Sequence, residues 1–516
     1  MRSSFMGLET SKRGLFTQQS ALYTTGHNIS NANTLGYSRQ RVNMEATAGF
    51  PGIGLNSGTM PGFLGTGVQA GSIQRIRDSF VDHQYRQEST KLGYWDTTSK
   101  AVAQMEDVLN EPSTSGLQKS LSEFWQSLQD LATNPENNGA RSVVIRRGEA
   151  VADAFNYMHK SLTEIQTNLG KEIEITTKDV NSILKQIAEL NDQIAKVEPN
   201  GYMPNDLYDA RDLLLDELSL IVPIETEYTK SGGNALAIAE GTVTVRLKTA
   251  NGVEDLVVGK EFAQLTTGPN PLLDPATGAN IPIVGLSKSW TDINGATPPN
   301  PPNHNTSLGH AVFQDKGALK SMMNAYGKDG STGMYPDMLT ELDKMAEEFA
   351  TAFNTTHQSG HGLPPGNATG LDFFDTTVGL KAGTIKVTQT LIDDPSQLAA
   401  SSVQGEEGNG RNAQKLADIQ FQSIGGLGGA TVETFFQGLI GELGVNGLEA
   451  NKMVKNTATL LGAVEHRRAS ISSVSLDEEM TDMIRFQQAY NASARMITVV
   501  DETLDKIING MGVVGR

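Results

Sequence analysis

The first 30 residues carry a weak heptad pattern. Leu8, Leu15, Leu22 and Ile29 recur every seven residues, and the positions between them complete a 3/4 alternation. Half of those intervening positions are polar, so the apolar stripe is narrow. The pattern predicts an amphipathic helix that is not stable alone in water.

The last 46 residues carry a longer seam of the same kind. Ser475 is suited to cap a helix, residues 477–479 are acidic where the helix dipole favours negative charge, and Gly510 ends the pattern. A helix of about 34 residues, roughly 50 Å long, is expected. The seam positions are Leu476, Met480, Met483, Gln487, Tyr490, Ala494, Ile497, Asp501, Leu504 and Ile508.

The two ends of the chain also differ in charge. Residues 1–50 hold five Lys or Arg and two acids, a net of +3, whereas residues 471–516 hold four and seven, a net of −3. Two heptad seams of opposite charge favour pairing of the chain ends. Two unrelated amphipathic helices docked on one core would give the same pattern, so both arrangements stay open.

The middle of the chain alternates between helical and β-like composition. Helical 3/4 spacing covers residues 73–109, 117–131, 140–197, 207–220, 317–357 and 435–466, and the third of these exceeds ordinary globular helix lengths. Residues 49–71 are glycine-rich and extended in pattern, residues 225–310 are rich in Thr, Val and Gly with alternating runs, and residues 297–303 form a proline-rich tract.

These patterns predict an α+β multidomain fold. Both chain termini form a long α-helical bundle or coiled coil, and a mainly-β outer domain is inserted between them. The predicted divisions are a terminal coiled-coil domain (1–50 and 471–516), a helical rod-like domain (51–230, 317–360 and 412–470), an inserted β domain (231–316), and a Gly/Thr-rich β-like segment (361–411) grouped with the outer domain.

Composition narrows the possible functions. The chain has 516 residues, no cysteine and a formal net charge of −18. The absence of cysteine excludes disulfides, zinc–thiolate sites and thiol nucleophiles, and the negative charge argues against a general nucleic-acid binder. Residues 1–16 lack the apolar core of a secretory signal, and no run of about 18 apolar residues indicates a membrane span.

Candidate chemistry is sparse. His357 and His361 are four residues apart, but the surrounding glycines and prolines favour a helix-end histidine packed on the bundle over a metal site. The four aspartates Asp206, Asp209, Asp212 and Asp216 have the 3/4 spacing of a solvated helix face and lack a calcium-loop frame. Residues 225–310 show no nucleophile–base pair. We therefore expect no enzyme activity, no cofactor and no metal.

Both chain ends resemble one family. Met6, Gly7 and Leu8, followed by residues 27–40 (HNISNANTLGYSRQ), are similar to the N-terminal signature of flagellar rod, hook and hook-associated proteins. His27 departs from the commonest residue, asparagine. Residues 475–480 (SLDEEM) and 485–495 (RFQQAYNASAR) resemble the C-terminal signature of the hook-associated protein 1, or FlgK, type.

Two interior segments resemble the same type. They are residues 205–212 (NDLYDARD) and the segment that joins residues 353–360 (FNTTHQSG) to residues 371–374 (LDFF). Residues 231–316 are not matched. Together the motifs cover about half the chain, in the terminal and helical parts.

The resemblance implies a structural subunit of the bacterial flagellum that forms the hook–filament junction. It implies export in unfolded form by the flagellar type III system, without a cleaved signal, and polymerisation on the hook tip through the terminal helices. A hook or distal rod protein of the same axial family is the alternative. The implied partners are copies of itself, the hook protein, the second junction protein and an export chaperone at the C-terminal helix.

The predicted assembly residues lie in the two terminal motifs and seams, with the leucine stripe of one end facing the seam of the other, within or between subunits. They are Leu8, Leu15, Leu22, Asn28, Ile29, Asn31, Gly36, Tyr37, Arg39, Leu476, Met480, Met483, Phe486, Tyr490, Ile497, Leu504 and Ile508.

Overall fold

The computed structural model describes most of the chain. The described residues are 5–49, 65–109, 116–250, 252–268, 272, 280, 285–298, 307–309, 314, 316–328, 332–364 and 369–510. Most of the predicted glycine-rich segment at 49–71 and of the proline-rich tract at 297–303 lies outside these ranges.

The long helices follow the predicted 3/4 spacing, with three differences. The stretch predicted from residue 73 is helical only from Ser79, the stretch 317–357 is divided into two helices, and the short helices Gln389–Asp393 and Arg411–Asp418 were not predicted. The helices are α1 (Phe5–Ser30), α2 (Ser79–Leu109), α3 (Leu117–Thr133), α4 (Asn138–Val197), α5 (Asn205–Ile221), α6 (Ala318–Tyr326), α7 (Met334–Gln358), α8 (Gln389–Asp393), α9 (Arg411–Asp418), α10 (Val432–Ser472) and α11 (Leu476–Asp505). A π-helical turn, Lys506–Gly510, follows α11.

The described strands form two antiparallel sheets. They are β1 (Gln40–Ala46), β2 (Val68–Arg75), β3 (Ile224–Thr229), β4 (Thr242–Thr249), β5 (Gly252–Val258), β6 (Glu261–Gly268), β7 (Gly285–Asp292) and β8 (Ser307–Gly309). Strands β1 and β2 pair with each other, and β3 to β8 form a six-stranded meander in chain order. The predicted fold class, with long helices from both termini and an inserted mainly-β part, is confirmed. The meander begins at Ile224, earlier than the predicted division at residue 231.

Helix α4 binds the six-stranded sheet through the side-chain amides of two asparagines, which form hydrogen bonds with strand backbone groups as a neighbouring strand would. The Asn191 side chain accepts from Val243 N at 2.9 Å and donates to Val243 O at 2.8 Å. Asn181 does the same to Leu265, at 2.7 Å in both directions. Each amide therefore satisfies both backbone groups of one strand residue, which fixes β4 and β6 against the helix.

The segment 361–411 differs from its predicted place. Its described residues, 361–364 and 369–411, contact the helical core, because Phe373 and Phe374 join the cluster formed by Phe124, Phe349 and Phe353. Both phenylalanines are fully buried. Aromatic burial of this size outweighs the β-like composition of the surrounding residues.

His357, at the end of α7, is packed on the core as predicted. Its Nδ1 lies 2.7 Å from Leu371 O, and its Nε2 accepts from Ala399 N at 3.0 Å. Burial lowers the pKa of this imidazole to about 4. The neutral ring therefore links α7 to the two loops that follow it.

Candidate assembly site formed by the two chain ends

The two terminal helices pack against each other in antiparallel fashion. A Cβ atom added at Gly7 would lie 3.7 Å from Val500 Cγ2, and one added at Gly14 would lie 3.3 Å from Ser493 Oγ. The step from Gly7 to Gly14 along α1 is therefore matched by the step from Val500 back to Ser493 along α11, as in an antiparallel pair. The same register brings the Asn28 side chain to Glu479.

The contact line on α1 lies one residue before the predicted stripe. It consists of Gly7, Gly14, Ala21 and Asn28, of which Ala21 and Asn28 are buried. One residue turns the helix by about 100°, so the predicted leucine stripe lies on the flank of this line. Small residues let the two helix backbones approach closely, which the leucines could not do. The flanking residues Leu8, Leu15, Leu22 and Ile29 are half-buried.

The predicted seam of α11 is divided between the contact and the solvent. Among its apolar positions, the side chains of three residues are exposed, namely Leu476, Met480 and Ile508, and the polar positions Gln487 and Asp501 are exposed as well. Glu479 is the only buried residue among the 30 of α11, all of which are described. The half-buried members of the predicted set are Met483, Phe486, Tyr490, Ile497 and Leu504.

Asn28 anchors the base of this helix pair. Its Oδ1 accepts from Gln40 N at 3.0 Å and from Tyr37 OH at 2.7 Å, and its Nδ2 donates to Gln40 O at 2.8 Å and to Glu479 Oε2 at 3.1 Å. Burial, followed by nearby carboxylates that include Asp206, raises the pKa of Tyr37, so its hydroxyl stays a donor. A single amide thus connects α1, the turn after it, β1 and α11.

Arg39 binds the first turn of α11. Its Nε donates to Glu479 Oε1 at 2.7 Å and its Nη1 to Glu478 Oε2 at 2.6 Å, while Nη2 lies 3.7 Å from Asp482 Oδ2. The Arg39 backbone N–H also donates to Ser472 O at 2.9 Å. Burial alone would lower the pKa of Arg39, but the two glutamates outweigh it and raise the pKa. We call Asn28, Tyr37, Arg39 and Glu479 the latch.

The turn between α1 and β1 holds the latch residues in place. Asn31 donates to His27 O at 3.0 Å and accepts from Thr34 Oγ1 at 3.2 Å. Gly36 has a positive φ of 79°, and a Cβ there would lie 3.4 Å from the Leu213 side chain of α5. The positive φ favours glycine at this position, and the distance to Leu213 is an ordinary van der Waals contact that places the turn against α5.

The aspartates of α5 do not form a solvated face, so that expectation is wrong for three of them. Asp209, Asp212 and Asp216 are buried, and only Asp206 is exposed. Asp209 Oδ2 also accepts from Ser38 N at 3.0 Å, which ties α5 to the latch turn.

Asp212 is the centre of a buried ionic network. It lies 2.9 Å from Arg75, 3.0 Å from Arg77 and 3.3 Å from Arg86. Burial alone would raise the pKa of Asp212, but the charges of Arg77, Arg75 and Arg86 outweigh it and hold the pKa far below its usual range. Arg468 of α10 joins the network through Asp216 at 2.6 Å. The network therefore connects the hairpin beside α1 to α2, α5 and α10.

Sequence reasoning did not single out Glu479 or the buried aspartates as functional residues. Glu479 lies in the first turn of a helix, where an acid is expected for its interaction with the helix dipole. Acids at 3/4 spacing, such as those of α5, are expected on a solvent-exposed helix face. The arginines were the sequence feature that could have indicated buried acidic partners. They lie in segments that also carry the terminal motif or an apolar pattern, namely at Arg39, Arg75, Arg77 and Arg86.

The described part of the chain holds neither a metal-binding cluster nor a membrane-spanning helix. No group of three or more His, Asp or Glu side chains there could hold a metal ion. None of the helices described above is both long and apolar enough to cross a membrane.

Two parts of the chain match known families. Residues 102–374 match the flagellar hook-associated protein FlgK helical domain, and residues 468–510 match the flagellar basal body rod FlgEFG protein C-terminal family. The second match contains Glu479 and all of α11. The match to these two families, together with the pairing of the chain ends through α11, places the chain in the class of flagellar structural proteins.

Full-length relatives narrow this class. The chain is 47% identical over 532 residues to flagellar hook-associated protein 1 of Bacillus subtilis (strain 168), with 100% of both chains covered. It is 25% identical to the Escherichia coli (strain K12) protein of the same name, over 96% of this chain and 98% of that one. The chain belongs to the flagellar hook-associated protein 1 (FlgK) family, which confirms the resemblance of its motifs.

A solved structure shows the same fold. The flagellar hook junction protein FlgK from Burkholderia pseudomallei aligns with a TM-score of 0.55 and 16% identity, over 76% of this chain and 100% of that one.

Proposed function

We propose that this chain forms a layer of the hook–filament junction of the bacterial flagellum. The observation that carries the proposal is the 47% identity to flagellar hook-associated protein 1 of Bacillus subtilis over the whole of both chains. The Burkholderia pseudomallei relative is itself called a hook junction protein. The proposed role is structural, without catalysis.

The proposed assembly route uses the paired chain ends. Helix α11 leaves apolar side chains exposed, among them Met480, Ile484, Met496 and Val499. Large exposed apolar surfaces mark interaction sites, so this helix suits burial against neighbouring copies on the hook tip. Export in unfolded form is compatible with ends that become fully ordered only on assembly.

The proposed partners follow from the proposed position of this chain between the hook and the filament. They are further copies of this chain, the hook protein on one side and the second junction protein on the other. Before assembly, the exposed apolar face of α11 is the segment that an export chaperone would cover.

Deleting the gene tests this role. We expect hooks of normal length, no attached filaments and filament protein released into the medium, because the hook is finished before its junction layer is added. Electron microscopy of the cells and electrophoresis of the medium measure these outcomes. Filaments that stay attached would contradict the proposal, and a loss of the hooks themselves would favour the hook or rod alternative.

A further inference from the structure

The loop that joins β3 to β4 is bound to the helical part of the chain as well as to its own sheet. We call this loop, residues 230–241, the strap. The strand pair Thr229 and Thr242 closes its two ends, so the strap takes its shape from the sheet. Its last residue, Gly241, donates from N to Glu198 Oε1 at 2.8 Å, and Glu198 directly follows α4. The strap is therefore fixed at the end of α4.

Glu240 extends from the strap to the hairpin formed by β1 and β2. Its Oε2 accepts from Arg211 Nη2 of α5 at 2.8 Å, and its Oε1 accepts from Arg75 Nη2 of β2. The side chain of Arg211 is fully buried, that of Arg75 is 4% exposed and that of Glu240 is 32% exposed. Each oxygen of one carboxylate thus holds a different buried guanidinium.

The two arginines need an anion between them. Their Cζ atoms lie 5.0 Å (Arg75) and 5.2 Å (Arg211) from the centroid of the Tyr208 ring, so two positive charges share one buried aromatic side chain. Each cation attracts the ring, but the two repel each other in a site shielded from water. Glu240 offsets this repulsion. A glutamine at position 240 would keep one acceptor and turn a donor toward the second guanidinium.

Arg75 also binds the turn that carries the latch. Its Nη1 donates to Asp209 Oδ1 at 2.7 Å, and Asp209 Oδ2 accepts from Ser38 N at 3.0 Å. Arg75 is in addition the strand partner of Gln40, and the backbone N and O of Gln40 both bind the Asn28 side chain. Two short routes therefore connect the strap to the residues that hold the chain ends together.

We propose that Glu240 couples the order of the paired chain ends to the folding of the inserted β sheet. A closed strap holds Arg75 in place, and Arg75 holds the hairpin that supports the latch. The chain ends then pair tightly only in a chain whose sheet has already formed. Such a coupling is reciprocal, because whatever loosens the latch must also loosen the strap. The inference concerns a single chain and does not depend on the junction role.

Amide hydrogen exchange of the full-length monomer measures the coupling. Glu240→Gln should speed exchange of residues 68–75 and 476–490 by about tenfold and leave residues 138–197 unchanged. The loss is partial because Arg75 keeps Asp209 as a partner.

A matched control removes a carboxylate from the same sheet. Glu227 of β3 binds Arg246 at 2.6 Å, but its side chain is 59% exposed. Exposed ion pairs contribute little, so Glu227→Gln should change the exchange of neither segment. Faster exchange that is confined to the strap in Glu240→Gln, or equal effects of the two substitutions on residues 476–490, would overturn the inference.

The reciprocal experiment leaves Glu240 in place, so it decides the matter even if Glu240→Gln fails to fold. Glu479→Ala removes a latch residue and should speed exchange of residues 236–243, which lie in the strap and the start of β4. Glu478→Ala, at an exposed side chain, should not. A strap whose exchange stays unchanged in Glu479→Ala would contradict the coupling.

Discussion

Glu479→Ala is expected to detach the start of α11 from the latch and to abolish filament attachment. The substitution leaves the Arg39 guanidinium and the Asn28 amide without their shared carboxylate acceptor, which is 2% exposed. Loss of one partner from a buried charged pair costs about 3 kcal/mol. The other residues of α11, all of it described, are half-buried or exposed, so Glu479 makes the one fully buried contact of the helix. Amide hydrogen exchange of residues 476–490 should speed up by about a hundredfold.

The neighbouring glutamate supplies a matched control. Glu478 also binds Arg39, at 2.6 Å, but its side chain is 64% exposed. Exposed ion pairs contribute about 1 kcal/mol or less, so Glu478→Ala should change exchange only slightly and leave filaments attached. Equal effects of the two substitutions would show that burial of Glu479 is not what holds the helix.

Asp212→Asn is expected to destabilise the helical part of the chain by about 3 kcal/mol. The asparagine is nearly the same size but leaves the buried Arg75 and Arg86, and the half-buried Arg77, without their central carboxylate. Urea unfolding followed by far-ultraviolet circular dichroism measures the loss. Glu217→Gln, on the exposed side of the same helix, should stay within about 0.5 kcal/mol of the parent.

The effect of Asp212 also depends on pH. Its pKa is depressed in the folded chain, whereas in the unfolded chain it is about 3.9. The stabilisation is therefore complete above about pH 5 and is lost progressively as the pH falls from there toward the depressed pKa of the folded chain. The stability difference between the parent and Asp212→Asn should shrink steadily below about pH 5. A difference that grows on acidification would contradict the network.

The helices could be predicted well from sequence because their apolar spacing is uninterrupted. The 60 residues of α4 hold one pattern from Asn138 to Val197, and the predicted and observed ends of this helix differ by two residues or fewer. Tertiary context decided the rest. The hydrophobic spacing predicted Leu15 as a contact residue, whereas the close approach of α1 to α11 occurs at Gly14. No local pattern near Asp212 reveals arginines more than 100 residues away in the chain.

Composition also misplaced the segment 361–411. Gly and Thr are frequent there and favour β structure, but the two adjacent phenylalanines at 373 and 374 are fully buried. Their partners on α3 and α7 are distant in sequence, so only the folded chain shows which core they join.

The register of the paired chain ends tests the central claim most directly. A Cβ at Gly14 would lie 4.0 Å from Ser493 Cβ, within the span of about 3.5–4.5 Å that a disulfide needs. Flagella assembled from Gly14→Cys/Ser493→Cys chains should, after mild oxidation, contain an internal cross-link within each chain and keep their filaments. In the variant Leu15→Cys/Ser493→Cys, position 15 is rotated by about 100° around α1 from position 14, so the thiols should stay free. Free thiols in the first variant, or more efficient cross-linking in the second, would contradict the pairing described above.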